Sequence, residues 1–544
     1  MENDPDNRTL RVLLVLAIPL LFVGLGANSI WDANEAFYVE TPRQMVLSGD
    51  YVNPTFNATP RFNKPVLSYW IVAGFYRVFG VSVAVERWAL ALGALGILAG
   101  AYAMGRAIRS PATGALSALL LATAPRVLFF SRRIFIDVYL ALFMTLALAC
   151  VAQAERHPQH RRRYLMLMYV ALGLGVLTKG PIALAIPGIA LSGWLLAERR
   201  LADLRRFMVP AGAVIILAIV MPWYAAVYAQ HGWEYIRFFF LQENLERYAS
   251  SFTTERGPAF FLGVLFADVL LPWAPLLAVA AFAWWRQRRE ETGTPRSIHS
   301  LLWWWVATTV AIFSVSASKE DLYILPAIPA AAVLIADLLI RTGAGARHRG
   351  VAWMLGAIGT VSIALAGLVS AFFTSGFYRL AGAWALAVIL AATGTASLLW
   401  LLRGGHARAL VALLLGFVLF DYVFIVRTLP DVERLKPAPV LAPAFLERAS
   451  PDATLATLNV NLPSLVYYTS RHLAAVADAA EGARLLSERD ERWLVVSEAD
   501  WREVHALAPA ACLVTRAPLF LSKGSDILRG QPPPSVVLAT NKCR

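Results

Sequence analysis

Thirteen apolar runs, each close to the length that crosses the hydrocarbon core of a bilayer, alternate with short polar connections along the 544 residues. They fall near residues 12–29, 88–105, 112–129, 138–154, 164–178, 181–197, 207–228, 259–284, 300–316, 322–340, 351–373, 378–402 and 409–426. Each predicts a helix, because backbone surrounded by lipid must satisfy its own N–H and C=O groups. The first run is not read as a cleaved leader. Arg8 and Arg11 precede it, but Trp31-Asp32-Ala33-Asn34-Glu35 follows where a small-residue cleavage site would stand.

Alternate connections carry the basic residues. Counted over short connections, one side holds 21 Arg, among them the Arg161-Arg162-Arg163 run, Arg205, Arg206 and Arg408. The other side holds eight Arg or Lys: Arg132, Arg133, Lys179, Arg237, Arg247, Arg256, Lys319 and Arg379. The excess marks the cytoplasmic side, so the N-terminus is expected inside and, with an odd number of spans, the C-terminus outside.

Two outer connections are too long to be simple turns. The first, about 30–87, predicts surface helices over 34–48 and 65–79, lying along the membrane. The second, about 229–258, is rich in aromatics and charge. After about residue 427 the pattern changes. Pro430, Pro437, Pro439 and Pro443 mark a boundary. Beyond it short apolar runs (A-T-L-A-T-L-N-V, R-W-L-V-V-S, P-S-V-V-L-A-T) alternate with helical patterns near 463–470, 479–488 and 499–507. The expected architecture is a mainly α, polytopic bundle over 1–427 with a soluble outer α/β domain over 428–544.

Composition supports this and excludes other classes. The chain is 58% hydrophobic and 16% charged, against about 25% charged in ordinary soluble domains. The net charge of +13 is scattered in clusters between apolar runs, which argues for cytoplasmic anchoring and against nucleic acid. Of three Cys, Cys150 lies in an apolar run, while Cys512 and Cys543 are either a disulfide or two free thiols. The eight His show no metal-ligand spacing, His231 with Glu234 suiting a helix-surface pair, and there is no nucleotide-binding Gly-Lys motif.

Ionisable residues at outer span ends are the candidate chemistry, since charge beside a bilayer is costly. They are Asp32 and Glu35 after the first run, Lys64, then Arg132, Arg133 and Asp137. Lys179 lies in T-K-G-P, Arg247 in E-N-L-E-R-Y, and Lys319 and Tyr323 in S-K-E-D-L-Y. Groups from so many segments can meet only in one outer cavity. Such a cavity suits a sugar on a polyprenyl phosphate. Cations would hold the phosphate and stabilise it as a leaving group, and a carboxylate would take the acceptor proton or stabilise charge at the anomeric carbon. A plainer role is open to Asp32 and Glu35, because acids also stabilise helix N-termini.

These residues resemble the GT-C superfamily of glycosyltransferases, especially the lipid A aminoarabinose transferases and the protein O-mannosyltransferases. The first outer loop of that family reads W-x-x-D-E-x-x-Y, followed by K-P. Here the matching residues are Trp31, Asn34, Glu35 and Tyr38, then Lys64-Pro65. R-R-I-F-I-D ending at Asp137, T-K-G-P and S-K-E-D-L-Y-I-L-P are similar as well. The expected catalytic residues are Asp32, Glu35 and Asp137; with Asn34 where the family has Asp, either Asp32 supplies the charge or Glu35 and Asp137 suffice. Substrate contacts are expected for Asn34, Tyr38, Lys64, Arg132, Arg133, Lys179, Arg247, Lys319 and Tyr323, and the resemblance implies that Asp137, Lys64, Lys179, Arg247 and Tyr323 line the donor and acceptor phosphate sites. Three positions depart from the pattern: Asn34 where the family has Asp, Phe37 where the aminoarabinose transferases have Arg, and Asn63 where they have Glu.

The function expected is sugar transfer from a polyprenyl (undecaprenyl) phosphate to a lipid A-like or other envelope glycolipid. It would take place at the periplasmic face of the inner membrane, with membrane lipids as partners and no obligatory cofactor or metal. Transfer to protein hydroxyls is the alternative. A transporter or flippase of lipid-linked sugars would instead place its charges near the midplane, on broken helices and often within repeats.

Overall fold

A computed structural model describes residues 7–246, 256–290, 298–519 and 529–543. Each of the thirteen apolar runs contains a helix. Among the described residues, eight helices are long and apolar enough to cross a membrane, or nine if Pro111–Ala122 and Pro125–Arg132, bent by 71°, form one span. Of the remaining runs, Arg161–Lys179 is a continuous helix with cations at both ends and Ile182–Ala197 is a shorter one, while three are broken by residues that cannot continue a helix. Pro125 makes that bend, and Pro272 stands between Phe260–Val269 and Pro275–Glu290. The first run is helical only to Leu21, after Pro19, and then turns through Gly24 and Gly26.

The irregular end of that first run leaves carbonyls without helical partners, and two buried arginines satisfy them. Arg132 donates to Leu20 O (2.7 Å) and Val23 O (2.5 Å). Arg87 donates to Leu25 O (3.0 Å) and Asn28 O (2.6 Å). Elsewhere small residues let helices approach closely. A Cβ at Gly394 in Ala383–Leu402 would collide with the carbonyl of Gly359 in Arg349–Phe373.

Both surface helices form, as Asn34–Ser48 and Leu67–Phe79. Gly49, at φ 75°, ends the first in the left-handed region that a glycine adopts without strain. In the second long connection a short helix, Trp233–Arg237, runs into a π-helical turn, Phe238–Glu246.

The C-terminal part holds a five-stranded sheet: β1 (Thr454–Leu458), β2 (Leu473–Val476), β3 (Arg492–Ser497), β4 (Cys512–Pro518) and β5 (Ser535–Thr540). The order is β2-β1-β3-β5-β4, with β1 parallel to β2 and β3, and β5 antiparallel to β3 and β4. Helices Ser464–Thr469, Ala479–Leu486 and Glu498–Leu507 fall where the pattern predicts them. Cys512 and Cys543 form a disulfide.

This sheet region grips the first long connection. Asp32 accepts hydrogen bonds from the backbone N–H (2.8 Å) and hydroxyl of Ser464. Tyr468 Oη accepts from Ile30 N (2.7 Å), and Asn57 exchanges two 2.9 Å bonds with the backbone of Leu473. The connection that carries Asn34 and Tyr38 is therefore held between the bundle and the sheet.

Candidate active site

At the end of the bundle that carries the surface helices lies a cavity of about 450 Å³. Six stretches of chain line it. Helix Asn34–Ser48 contributes Asn34, Phe37 and Tyr38, and the segment before helix Leu67–Phe79 contributes Arg61, Asn63 and Lys64. Asp137 comes from the first turn of helix Ile136–Arg156, and Lys179 from the last turn of helix Arg161–Lys179. Glu243 enters from the π-helical turn, and Glu320 and Tyr323 from the S-K-E-D-L-Y segment.

Helix ends put these charges in place. Acids are favoured in first turns and cations in last turns, which suits Asp137 and Lys179 to the positions they occupy. The two form an ion pair, Lys179 Nζ donating to Asp137 Oδ1, and Lys179 also stands 4.5 Å from the Tyr323 ring centroid. A second pair joins Lys64 Nζ to Glu243 Oε2 at 2.9 Å, with Asn63 Nδ2 donating to Glu243 Oε1 at 2.8 Å. Arg61 lies over the Phe37 ring, its Cζ 3.8 Å from the centroid. Among the described residues no carboxylate pairs with it. Tyr38 stacks on Tyr69 at 5.8 Å, and burial raises its phenol well above the usual range. The cavity thus has two cations held by carboxylates and one guanidinium left to meet an anion.

Six predicted residues line this cavity: Asn34, Tyr38, Lys64, Asp137, Lys179 and Tyr323. Five others are placed outside it. Glu35 is fully buried as a hub, accepting from Trp31 N (2.8 Å), Arg87 (3.2 Å), Arg133 (3.1 Å) and Ile134 N (3.3 Å). Its place in the first turn of a helix led sequence reasoning to treat it as site chemistry, but its oxygens are occupied by these donors. Asp32 faces Ser464, and burial pushes its carboxyl up to about 6 against the two Ser464 hydrogen bonds. Arg132 holds carbonyls of the first run. Arg133 pairs with Glu35 and lies 5.3 Å over Trp31. Lys319 is buried, donating to Ser316 O, while its neighbour Asp321 pairs with Arg126. Arg247 lies outside the described residues.

Arg61 and Glu243 were missed in the sequence. Both sit in the long outer connections, where a charge is not unusual, and the basic-residue count neither covered the 30–87 connection that holds Arg61 nor registered an acid such as Glu243. The nearest signal was proximity: Arg61 lies three residues before Lys64 in P-R-F-N-K-P.

The family model described as dolichyl-phosphate-mannose-protein mannosyltransferase matches residues 63–225. Among similar curated proteins are the undecaprenyl phosphate-alpha-4-amino-4-deoxy-L-arabinose arabinosyl transferases of Edwardsiella ictaluri and Pseudomonas aeruginosa. They are 31% and 32% identical, over 61% and 60% of this chain and 59% of each relative. The chain spans about three fifths of the length of these curated relatives. In fold it matches the crystal structure of ArnT from Cupriavidus metallidurans bound to undecaprenyl phosphate, with TM-score 0.79, 24% identity and 98% of each chain covered. By sequence over part of its length and by fold over nearly all of it, the chain is similar to the membrane glycosyltransferases of the GT-C superfamily.

Proposed function

We propose that this chain transfers a sugar from a polyprenyl phosphate, undecaprenyl phosphate in a bacterial envelope, to a lipid A-like or other envelope glycolipid. The observation that carries the reading is the cavity itself, where the Lys179–Asp137 and Lys64–Glu243 pairs converge with Arg61, which pairs with no carboxylate among the described residues. The curated relatives are named for an undecaprenyl phosphate donor, and the solved ArnT structure holds undecaprenyl phosphate. Both support the donor class.

The roles follow from charge. Arg61 and Lys64 bind the donor phosphate through charge-assisted hydrogen bonds, and Asn34 hydrogen-bonds sugar or phosphate. The acceptor oxygen attacks the anomeric carbon as the carbon–oxygen bond to phosphate breaks. The departing polyprenyl phosphate keeps that electron pair beside the cations, and the acceptor proton passes to Asp137. Lys179 pairs with Asp137 and holds it in position. Displacement of this kind inverts the anomeric centre and needs no nucleotide. Glu35 and Asp32 are positioning residues, fixing the helix that presents Asn34 and Tyr38.

The reaction is placed at the periplasmic face of the inner membrane, with the N-terminus cytoplasmic. The Arg bias between alternate connections supports this, as does the Cys512–Cys543 disulfide, which belongs in an oxidising compartment.

Mass spectrometry of envelope lipids from cells with and without the gene tests the proposal. A sugar added to a glycolipid only in its presence, and absent with Asp137→Ala, is the expected result. An unchanged lipid profile with an altered glycoprotein profile would instead favour transfer to protein hydroxyls.

A further inference from the structure

We propose a second ligand site: the groove between the 374–382 loop and the Asp431–Arg434 turn binds the phosphate headgroup of an anionic membrane lipid. The groove is a cavity of about 760 Å³ whose walls include Phe377, Arg379, Trp384, Asp431 and Arg434. It shares no lining residue with the candidate active site.

Arg434 builds the groove, Arg379 lines it, and Arg427 stands beside it against Gly382. The Arg434 guanidinium is committed to the loop, donating to Phe377 O (3.0 Å) and Arg379 O (2.5 Å) and lying 3.7 Å from Asp431. Asp431 in turn accepts from Ala381 N at 3.0 Å, so the loop is locked into shape before any ligand arrives. Arg379 is exposed, and among the described residues no carboxylate pairs with it. The same holds for Arg427, which is exposed one helical turn before Asp431 and packs its Cβ against Gly382.

The surroundings identify the anion's carrier. The loop joins two apolar helices, Arg349–Phe373 and Ala383–Leu402, so it lies where lipid gives way to water. Trp384 is 64% exposed and Phe377 42% exposed there, as befits aromatic rings at headgroup level. Arg379 also stands in a short connection on the arginine-poor side, against the usual bias. An arginine pair flanked by interfacial aromatics matches a phosphate presented by a lipid better than a free ion, which would gain nothing from Trp384.

The full chain is reconstituted in phosphatidylcholine nanodiscs doped with phosphatidylglycerol, and the anionic lipid retained on extraction is quantified by mass spectrometry. Retention should fall about fivefold for each of Arg379→Gln and Arg427→Gln. Arg379→Lys should keep most of it. Asp431→Asn, which removes negative charge from the groove, should raise it, a gain that misfolding cannot imitate. Equal retention by wild type and the double glutamine variant would overturn the proposal. So would competition by millimolar inorganic phosphate as effective as that by the lipid. The readout is binding alone, so it stands or falls apart from the transferase reading.

Discussion

Replacing Lys179 by Met removes half of a pair in which the lysine side chain is 15% exposed and the Asp137 side chain 9% exposed. Breaking a buried pair by removing one partner costs about 3–5 kcal/mol, mostly because the remaining charge is stranded. Loss of the cation over Tyr323 adds about 0.5–1 kcal/mol. The cavity admits water, so the lower end, about 3 kcal/mol, is the working figure. Asp137→Asn in the same molecule takes away the stranded charge, and the double variant should recover about 2 kcal/mol of that loss. Transfer should not recover. Losing a proton-accepting carboxylate costs about 10²–10⁴-fold in rate, so Asp137→Asn and the double variant should be nearly inactive. Denaturant-induced unfolding of the purified protein in detergent, followed by tryptophan fluorescence, measures the first quantity; sugar transfer to glycolipid measures the second. Additive destabilisation in the double variant would refute the coupling of the two residues. Restored transfer in it would refute the role of Asp137.

Three further outcomes follow from the same geometry. Arg61→Gln should raise KM for the polyprenyl donor about ten- to a hundredfold, the worth of one charged hydrogen bond, with a smaller change in kcat by steady-state assay. Glu35→Ala strands Arg87, whose side chain is 3% exposed, and should destabilise the protein by about 3–5 kcal/mol, seen as lost folded protein on size-exclusion chromatography, whereas Glu35→Gln should retain more. The Asp32 carboxyl is held above its ordinary value, at about 6. The folded state therefore binds the proton more tightly than the unfolded chain, so Asp32's contribution is full below about pH 4 and is lost as pH rises through about 6. Hydrogen exchange at 464–469 should accelerate over that window, and Asp32→Asn should flatten the dependence.

The transmembrane segments were legible because a bilayer imposes one length and one polarity on every span. The breaks were less so: Pro125 and Pro272 sit inside runs that are predominantly apolar, and the backbone shows that the helix bends or stops there. In the sheet, the three inner strands announced themselves as apolar runs buried on both faces. The two edge strands, Leu473–Val476 and Cys512–Pro518, were not predicted, because an edge exposes half its residues and tolerates His472 and Arg516 nearby. Among site residues, Asp137 and Lys179 stood out because their surroundings are otherwise apolar. Asp32, Glu35, Arg132 and Arg133 carried the same signal for another reason. Satisfying the carbonyls of a broken helix and docking a second layer also requires charge at that depth, and sequence spacing does not separate that task from catalysis.

The central claim is that Arg61 and Lys64 receive a lipid-borne phosphate in one cavity beside the Asp137–Lys179 pair. A cryo-electron microscopy map of the full chain in nanodiscs with undecaprenyl phosphate tests it most directly. Phosphate density within hydrogen-bond reach of Arg61 and Lys64 is the predicted result; phosphate bound elsewhere, with this cavity holding only water, would contradict it.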